Sequence, residues 1–316
     1  MDALSDVLRV VRLSGGVFLD AKFTAPWCIS ARVGPEDCRY TAEPPASVIA
    51  FHYVIEGRML LQVEGNAPVE VASGAMVLLP RNDTHTIASE PGLKPADGDA
   101  LVALQSDGGL ARIEHGGGGA VTRIVCGFVG CDATRHPLVE ALPRVFTLDL
   151  NGKPCAEWVA ASFRYAAQEV AAGRAGSETV LGKLAELLFV EAVRGYVDTL
   201  PAARRGWLAA LRDPAIGRAL ALLHARPAHT WTTEELAGAV ALSRSAFADR
   251  FVQLVGVPPM SYLTSWRMQL AAARLRDTHR PIAQIAAETG YESEATFARA
   301  FKREMGVSPG RYRAGA

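Results

Sequence analysis

No apolar stretch in this chain of 316 residues runs unbroken for the ~18 residues that suggest a membrane-spanning helix, which argues against an integral helical membrane protein. Met1 to Asp20 lacks the basic region, apolar core and small-residue cleavage site of an export signal, so a cytoplasmic protein is expected. Cysteine is scarce: Cys28, Cys38, Cys126, Cys131 and Cys155, an odd number in a long chain. That argues against a secreted disulfide scaffold and for reduced thiols. Net charge is absent as well, with 33 basic residues against 33 acidic ones. The balance hides an asymmetry, because from Trp207 onward 14 Arg and Lys stand against 9 Asp and Glu, and the preceding part carries the opposite excess. A basic tail on an acidic body is what attraction to phosphate requires.

What is present reads as folded protein, since hydrophobic residues make up 49% and charged residues 21% of the chain. Residues 1–150 are expected to be β-rich. Val48–Ile55, Arg58–Val63, Pro68–Val71 and Ala75–Leu79 are short apolar or alternating runs. Between them stand turn residues: Glu56-Gly57, Glu64-Gly65-Asn66, Ser73-Gly74 and Pro80-Arg81-Asn82-Asp83. Short strands at regular intervals suggest a sandwich or a barrel. Pro91–Gly98 and the Gly116–Gly119 run read as surface loops.

Residues 156–200 read as two helices, the first an alanine-rich stretch with Trp158, Phe163 and Tyr165 and no breaker before Gly173. Ser177 is placed to cap the second, whose Val180, Leu181, Leu184, Leu187, Leu188 and Val193 follow helical spacing. So broad an apolar face serves either packing within the domain or a second copy of the chain. The second use is preferred, because its width exceeds what one small β domain needs covered.

Residues 207–316 are helical in pattern and contain a repeat. At a shift of 50 residues, Ser243, Phe247, Phe251, Gly256, Pro259 and Tyr262 coincide with Ser293, Phe297, Phe301, Gly306, Pro309 and Tyr312. Each serine precedes a helical stretch and can accept from its free N–H groups. Each phenylalanine pair, four apart, shares one inward face. Gly256 and Gly306 fit left-handed C-caps. Upstream of each serine lies another short helix, Thr233–Val240 and Ile282–Thr289, with Gly290 in the second turn. Helix, tight turn and second helix with a polar outer face is the unit that enters a major groove.

These residues carry a resemblance. Ile285-Ala286, Gly290-Tyr291, Ser293, Phe297, Phe301-Lys302, Gly306, Pro309 and Tyr312-Arg313 closely resemble the signature of AraC/XylS-type regulators. The resemblance implies two helix-turn-helix units joined by a long helix, here Pro259–Arg276, with Arg267 and Ala271 at positions where the family has such residues. Ala241 departs from the pattern by standing where the first turn glycine is usual. The resemblance puts Arg244, Ser245, Ala248 and Asp249 at base edges from one recognition helix, and Glu294, Ala295, Thr296, Ala298 and Arg299 from the other. Arginine reads guanine, and threonine meets an edge or a thymine methyl. Arg250, Lys302 and Arg303 suit phosphates or remain solvated. The implied partners are double-stranded DNA, a small-molecule effector, RNA polymerase and a second copy of the chain. Nothing in the residues separates activation from repression, and activation is the working expectation.

A second resemblance lies upstream. Gly74, Pro80, Asn82 and His85 resemble the second cupin motif, with Asn82 in place of a glycine, and Val54-Ile55-Glu56-Gly57 looks like the end of the first. Cys126-Gly127 and Leu142-Pro143 fit the cupin-type sensor domains found ahead of AraC-type tails. The expected fold is therefore multi-domain α+β. A cupin-like β-barrel (1–150) with a helical hairpin for linkage or dimerisation (156–200) precedes an all-α double helix-turn-helix domain (207–316). Metal-dependent cupins use two histidines and a glutamate from the first motif. Here Ala50 takes the glutamate position and only His85 of the metal set remains. His52 shares a strand face with Ala50, so His52 and His85 are weak metal candidates with Cys126 as a third, and an effector pocket lined by the three is the preferred reading. No cofactor is expected. A redox role for the cysteines and a cupin metalloenzyme fused to a DNA-binding tail are the alternatives.

Overall fold

The computed structural model describes residues 2–10, 13–34, 37–40, 45–103, 111–131, 137–171, 176–201 and 205–315. The expected breaker Gly173 lies outside them. The chain separates into two compact units, one of residues 12–198 and one that joins residues 1–11 to 199–316. No helix is long and apolar enough to cross a membrane among the described residues.

In chain order the elements begin with α1 (Ala3–Val10), β1 (Leu13–Thr24), β2 (Cys28–Ala31), β3 (Ser47–Glu56), β4 (Arg58–Val63), β5 (Val69–Ala72), β6 (Ala75–Leu79), β7 (His85–Ala88) and β8 (Ala96–Asp97). They continue with β9 (Ala111–Gly116), β10 (Val121–Cys131), α2 (Pro137–Ala141), β11 (Phe146–Asp149), α3 (Ala156–Ala171) and α4 (Ser177–Thr199). The strands form two sheets, ordered β11-β6-β3-β10-β1-β9 and β5-β4-β7-β2-β8. Neither sheet closes on itself among the described residues. One core joins them: Phe23, Val54, Phe128 and Cys126 from the larger sheet pack with Met59, Leu61, Ile29 and Ile87 from the smaller.

Strand β3 shows why its sequence is apolar on both faces. Ala50 and Val54 join the core between the sheets. Tyr53, on the other face, stacks on Phe163 of α3 at 4.3 Å, and Phe51 lies 6.3 Å from the same ring. Helix α4 covers more of that outer face, where Tyr196 meets Phe146 at 4.9 Å. Close approach requires glycine there: a Cβ on Gly15 would stand 2.7 Å from Ala185 Cβ and 3.0 Å from the Gly182 carbonyl.

The second unit contains α5 (Trp207–Ala210), α6 (Pro214–Ala225), α7 (Thr233–Ala239), α8 (Arg244–Val255), α9 (Pro259–Asp277), α10 (Ile282–Glu288), α11 (Glu294–Met305) and α12 (Pro309–Ala314). Helix α1 belongs here too, packing against α6 and α9 and burying Ala3, Asp6 and Val7. Ser243 Oγ accepts from Ala246 N–H and Ser293 Oγ from Thr296 N–H, so both serines cap their helices. Gly256 and Gly306 close them at φ of 90° and 79°. The repeat extends to packing: the rings of Phe251 and Tyr262 meet edge to face at 5.9 Å, those of Phe301 and Tyr312 at 5.4 Å.

Among the described residues, Asn82 and Ala241 are the non-glycine residues with positive φ, 49° and 57°. Both stand where the two resembled patterns have glycine. Asn82 compensates, since its Oδ1 accepts from Val33 N–H and its Nδ2 donates to Val33 O. Ala241 has only its turn, in which Leu242 N–H bonds Ala237 O as Tyr291 N–H bonds Ala286 O across Gly290. Ala241→Gly is therefore expected to stabilise the second unit by roughly 1 kcal/mol, read as a rise in its urea midpoint. A lower midpoint would show that the turn carries no left-handed penalty.

Candidate DNA interface and interior cavity

The recognition segments are built on their buried phenylalanines. Phe247, Phe251, Phe297 and Phe301 are fully buried, which fixes the opposite faces of α8 and α11 outward. Arg244, Ser245, Asp249 and Arg250 are exposed on α8, and Ala248 is partly so. On α11, Glu294, Ala295, Thr296, Arg299, Lys302 and Arg303 are exposed, with Ala298 partly so. The two sets are not equally free. Arg250 Nε donates to Asp213 at 2.9 Å, and the other oxygen of that carboxylate caps α6 through Ala215 and Ile216 N–H. Arg250 thus ties α8 to α6, a role that sequence reading missed. The Asp213-Pro214 pair, a capping residue before a helix-opening proline, was the available signal for half of it. Thr296 Oγ1 lies 2.9 Å from Ser293 Oγ, inside the cap.

The other predicted residues meet in the first unit described, 12–198. His52 and Cys126 are register partners on β3 and β10, and His85 arrives from β7 of the opposite sheet. His52 Nδ1 is 2.9 Å from Cys126 Sγ, His52 Nε2 is 2.7 Å from His85 Nε2, and His85 Nδ1 is 2.9 Å from Asp83 O. The carbonyl accepts only, so His85 carries its proton on Nδ1. Its Nε2 then accepts from His52 Nε2–H, and His52 Nδ1 accepts from the Cys126 thiol. Every group is neutral and partnered. Burial drives His52 well below the usual imidazole range, with His85 adding to it, and burial also lowers His85. Burial pushes the Cys126 thiol up.

This arrangement does not fit a metal ion. His52 spends its two ring nitrogens in opposite directions, so one ion cannot take His52, His85 and Cys126 together. Among the described residues no group of three or more His, Cys, Asp or Glu is disposed to hold one. The redox alternative meets a similar obstacle: burial raises the Cys28, Cys126 and Cys155 thiols, whereas a sensor thiol is low in pKa and accessible. Beside the histidine pair lies a cavity of ≈ 40 Å³, walled by Phe23, Ile113 and Val102 among others. Since one water needs ~10–15 Å³ of such space, the cavity holds a few waters or a very small solute. Two wider hollows of ≈ 450 and ≈ 420 Å³ share Arg32 with it.

Comparison with known proteins decides the family. A family model described as Cupin matches residues 2–198, and one described as a helix-turn-helix domain matches residues 236–315. A putative AraC-like transcription regulator of Streptomyces antibioticus is 36% identical, over 99% of this chain and 98% of its own. The chain belongs to the AraC-type transcription regulators. The HTH-type transcriptional regulator AlkR of Acinetobacter baylyi is 28% identical over 99% of each chain. The solved DNA-binding domain of AdpA, in complex with a target DNA, is 28% identical over 33% of this chain and 92% of that one, at a TM-score of 0.31. As an AraC-type regulator the protein binds DNA, with a cupin domain before its helix-turn-helix domain.

Proposed function

We propose that this regulator is a homodimeric, effector-controlled activator acting in the cytoplasm, and that it is not an enzyme. The observation that carries its DNA-reading role is the pair of serine-capped, phenylalanine-anchored helices. They hold Arg244, Ser245, Ala248 and Asp249, and Glu294, Ala295, Thr296, Ala298 and Arg299, away from the core. Arg299 reads a base edge and Lys302 a phosphate, while Arg250 contributes mainly by holding α8 on Asp213. Two such helices suit successive major-groove segments about 10 base pairs apart.

The two sheets form the barrel-like cup of a sensor, and the hollow beside His52, His85 and Cys126 is its effector pocket. At its present size it admits only a very small ligand, so a larger effector binds by opening it toward the Arg32 hollows. A ligand that favours the opened form shifts the population of DNA-competent states by its differential affinity. Support for the second copy comes from α3 and α4. Trp158 and Tyr165, each 43% exposed, lie seven residues apart, as do Val180 at 40% and Leu187 at 54%. Residues seven apart share a helix face, so α3 and α4 each present exposed apolar side chains along one strip. RNA polymerase is the expected further partner of the DNA-bound dimer.

One experiment tests these together. Random DNA fragments bound by the purified full chain are sequenced, with and without candidate effectors. A dimer enriches paired sites, and an effector changes their yield. Arg299→Ala is expected to relax preference at one base position and to weaken binding by about 1–3 kcal/mol. Unpaired sites would contradict the dimer, and an unchanged Arg299→Ala profile would contradict the base contact.

A further inference from the structure

Helix α9 carries both DNA-reading units: α8 of the first packs on it, as do α10, α11 and α12 of the second. From its middle, Arg267 reaches across to the first unit. Its Nε donates to Pro227 O at 2.7 Å and its Nη2 to His229 O at 2.9 Å, both in the segment that leads into α7. The same guanidinium stands 5.9 Å from the ring centre of Tyr291, in the turn of the second unit. The neighbouring residue, Gly290, leaves no room: a Cβ there would lie 2.8 Å from Arg267 Nη2 and 2.9 Å from Ala228 O. Its φ of +83° favours glycine independently. Thus the backbone before α7, the connecting helix and the turn before α11 converge on one side chain.

We infer that Arg267 is a positioning residue that sets the spacing at which the two units read DNA. The reasoning is geometric. A guanidinium making two directed bonds to carbonyls of one unit while lying against the other resists twist between them, which a single apolar contact would not. The second recognition helix leaves its turn only three residues after Gly290, so a small rotation there displaces the base-reading face of α11. Arg267 itself is not among the buried residues of the second unit's core, so that unit keeps its fold and its base preference without the guanidinium. The inference rests on the two-segment DNA reading proposed above.

The test uses the full chain and the site enriched by selection, together with versions carrying one or two extra base pairs between the two segments. An added base pair rotates the second segment by roughly a tenth of a turn. The parent protein is expected to lose at least about tenfold in affinity on one insertion, the worth of one good base contact. Arg267→Ala and Arg267→Gln are expected to lose less than about threefold on the same insertion, with base preference inside each segment unchanged. Arg267→Gln keeps one donor, so it decides the matter if the alanine variant fails to fold. Arg267→Lys, a point charge without the fork, is expected to fall between parent and alanine. A variant that weakens by one common factor at every spacing, or keeps the parent's spacing penalty, overturns the inference alone. A parent indifferent to both sequence and spacing overturns the two-segment reading and this inference with it.

Discussion

Phe297→Ala is expected to destabilise the second DNA-reading unit by about 3–5 kcal/mol, the usual cost of emptying a buried phenylalanine site. Phe297 has no exposed surface and packs in a cluster with Met268, Ala271, Leu275, Ile285, Ala286 and Phe301. Its ring also meets those of Tyr291 and Phe301, each at 5.7 Å between centroids. The site cannot collapse readily, because its walls come from α9, α10 and α11 together. A loss of this size is a large share of the 5–15 kcal/mol that holds a typical domain folded. Urea unfolding would show it, and specific DNA binding would be lost with it, because Phe297 is what turns Glu294, Thr296 and Arg299 outward. Phe297→Leu keeps an apolar filling and is expected to cost less than half as much. A change under 1 kcal/mol for the alanine variant would mean that α11 is anchored elsewhere.

How far the sequence spoke depended on the range of the interactions. Strands β4 and β6 were visible to the residue, because their runs are short and Gly57, Gly65 and Gly74 bracket them. The double helix-turn-helix was visible because its signals lie within 20 positions: capping serine, paired phenylalanines, closing glycine. Even the departures were informative, since Asn82 and Ala241 take the left-handed backbone that the glycine positions imply. Strand β1 was not legible. A strand interior is weakened by glycines such as Gly15 and Gly16, and the packing of α4 against Gly15 explains that residue's place. Helix α1 was likewise missed, because it is short and the surface it covers is more than 200 residues away on α6 and α9. The candidate interior site was legible as residue types alone. That His52 faces Cys126 follows from strand register, and that His85 meets it follows from sheet packing. The barrel was expected from strand spacing and from the cupin resemblance, and neither sheet closes on itself among the described residues.

Acid should weaken the second unit steeply, and one histidine is enough to show why. His224, on α6, is 5% exposed and lies flat on Trp266, with ring centres 3.9 Å apart. Tyr262 Oη accepts from Trp207 Nε1 at 2.8 Å, which leaves its hydrogen to His224 Nε2 at 2.7 Å. The imidazole is therefore neutral with its proton on Nδ1, and that nitrogen has no partner. A second proton would place a full charge against two aromatic walls and a phenol already donating. Burial accordingly holds His224 at a pKa of about 3, from an ordinary 6.5. In the unfolded chain the same group binds its proton near 6.5, so below that pH the unfolded state gains protons that the folded state refuses. Stability contributed by His224 is complete above pH 6.5 and falls as pH drops, by about 1.4 kcal/mol per unit. Between pH 6.5 and 4.5 the loss is about 2 kcal/mol, to be read from urea midpoints across that range. His52 and His85 act with the same sign in the other unit, being likewise lowered by burial. His224→Phe is expected to remove this part of the slope from the second unit and to leave it in the first. A flat profile from pH 6.5 to 4.5, or a slope that survives the substitution, would show that the imidazole accepts its proton without leaving the fold.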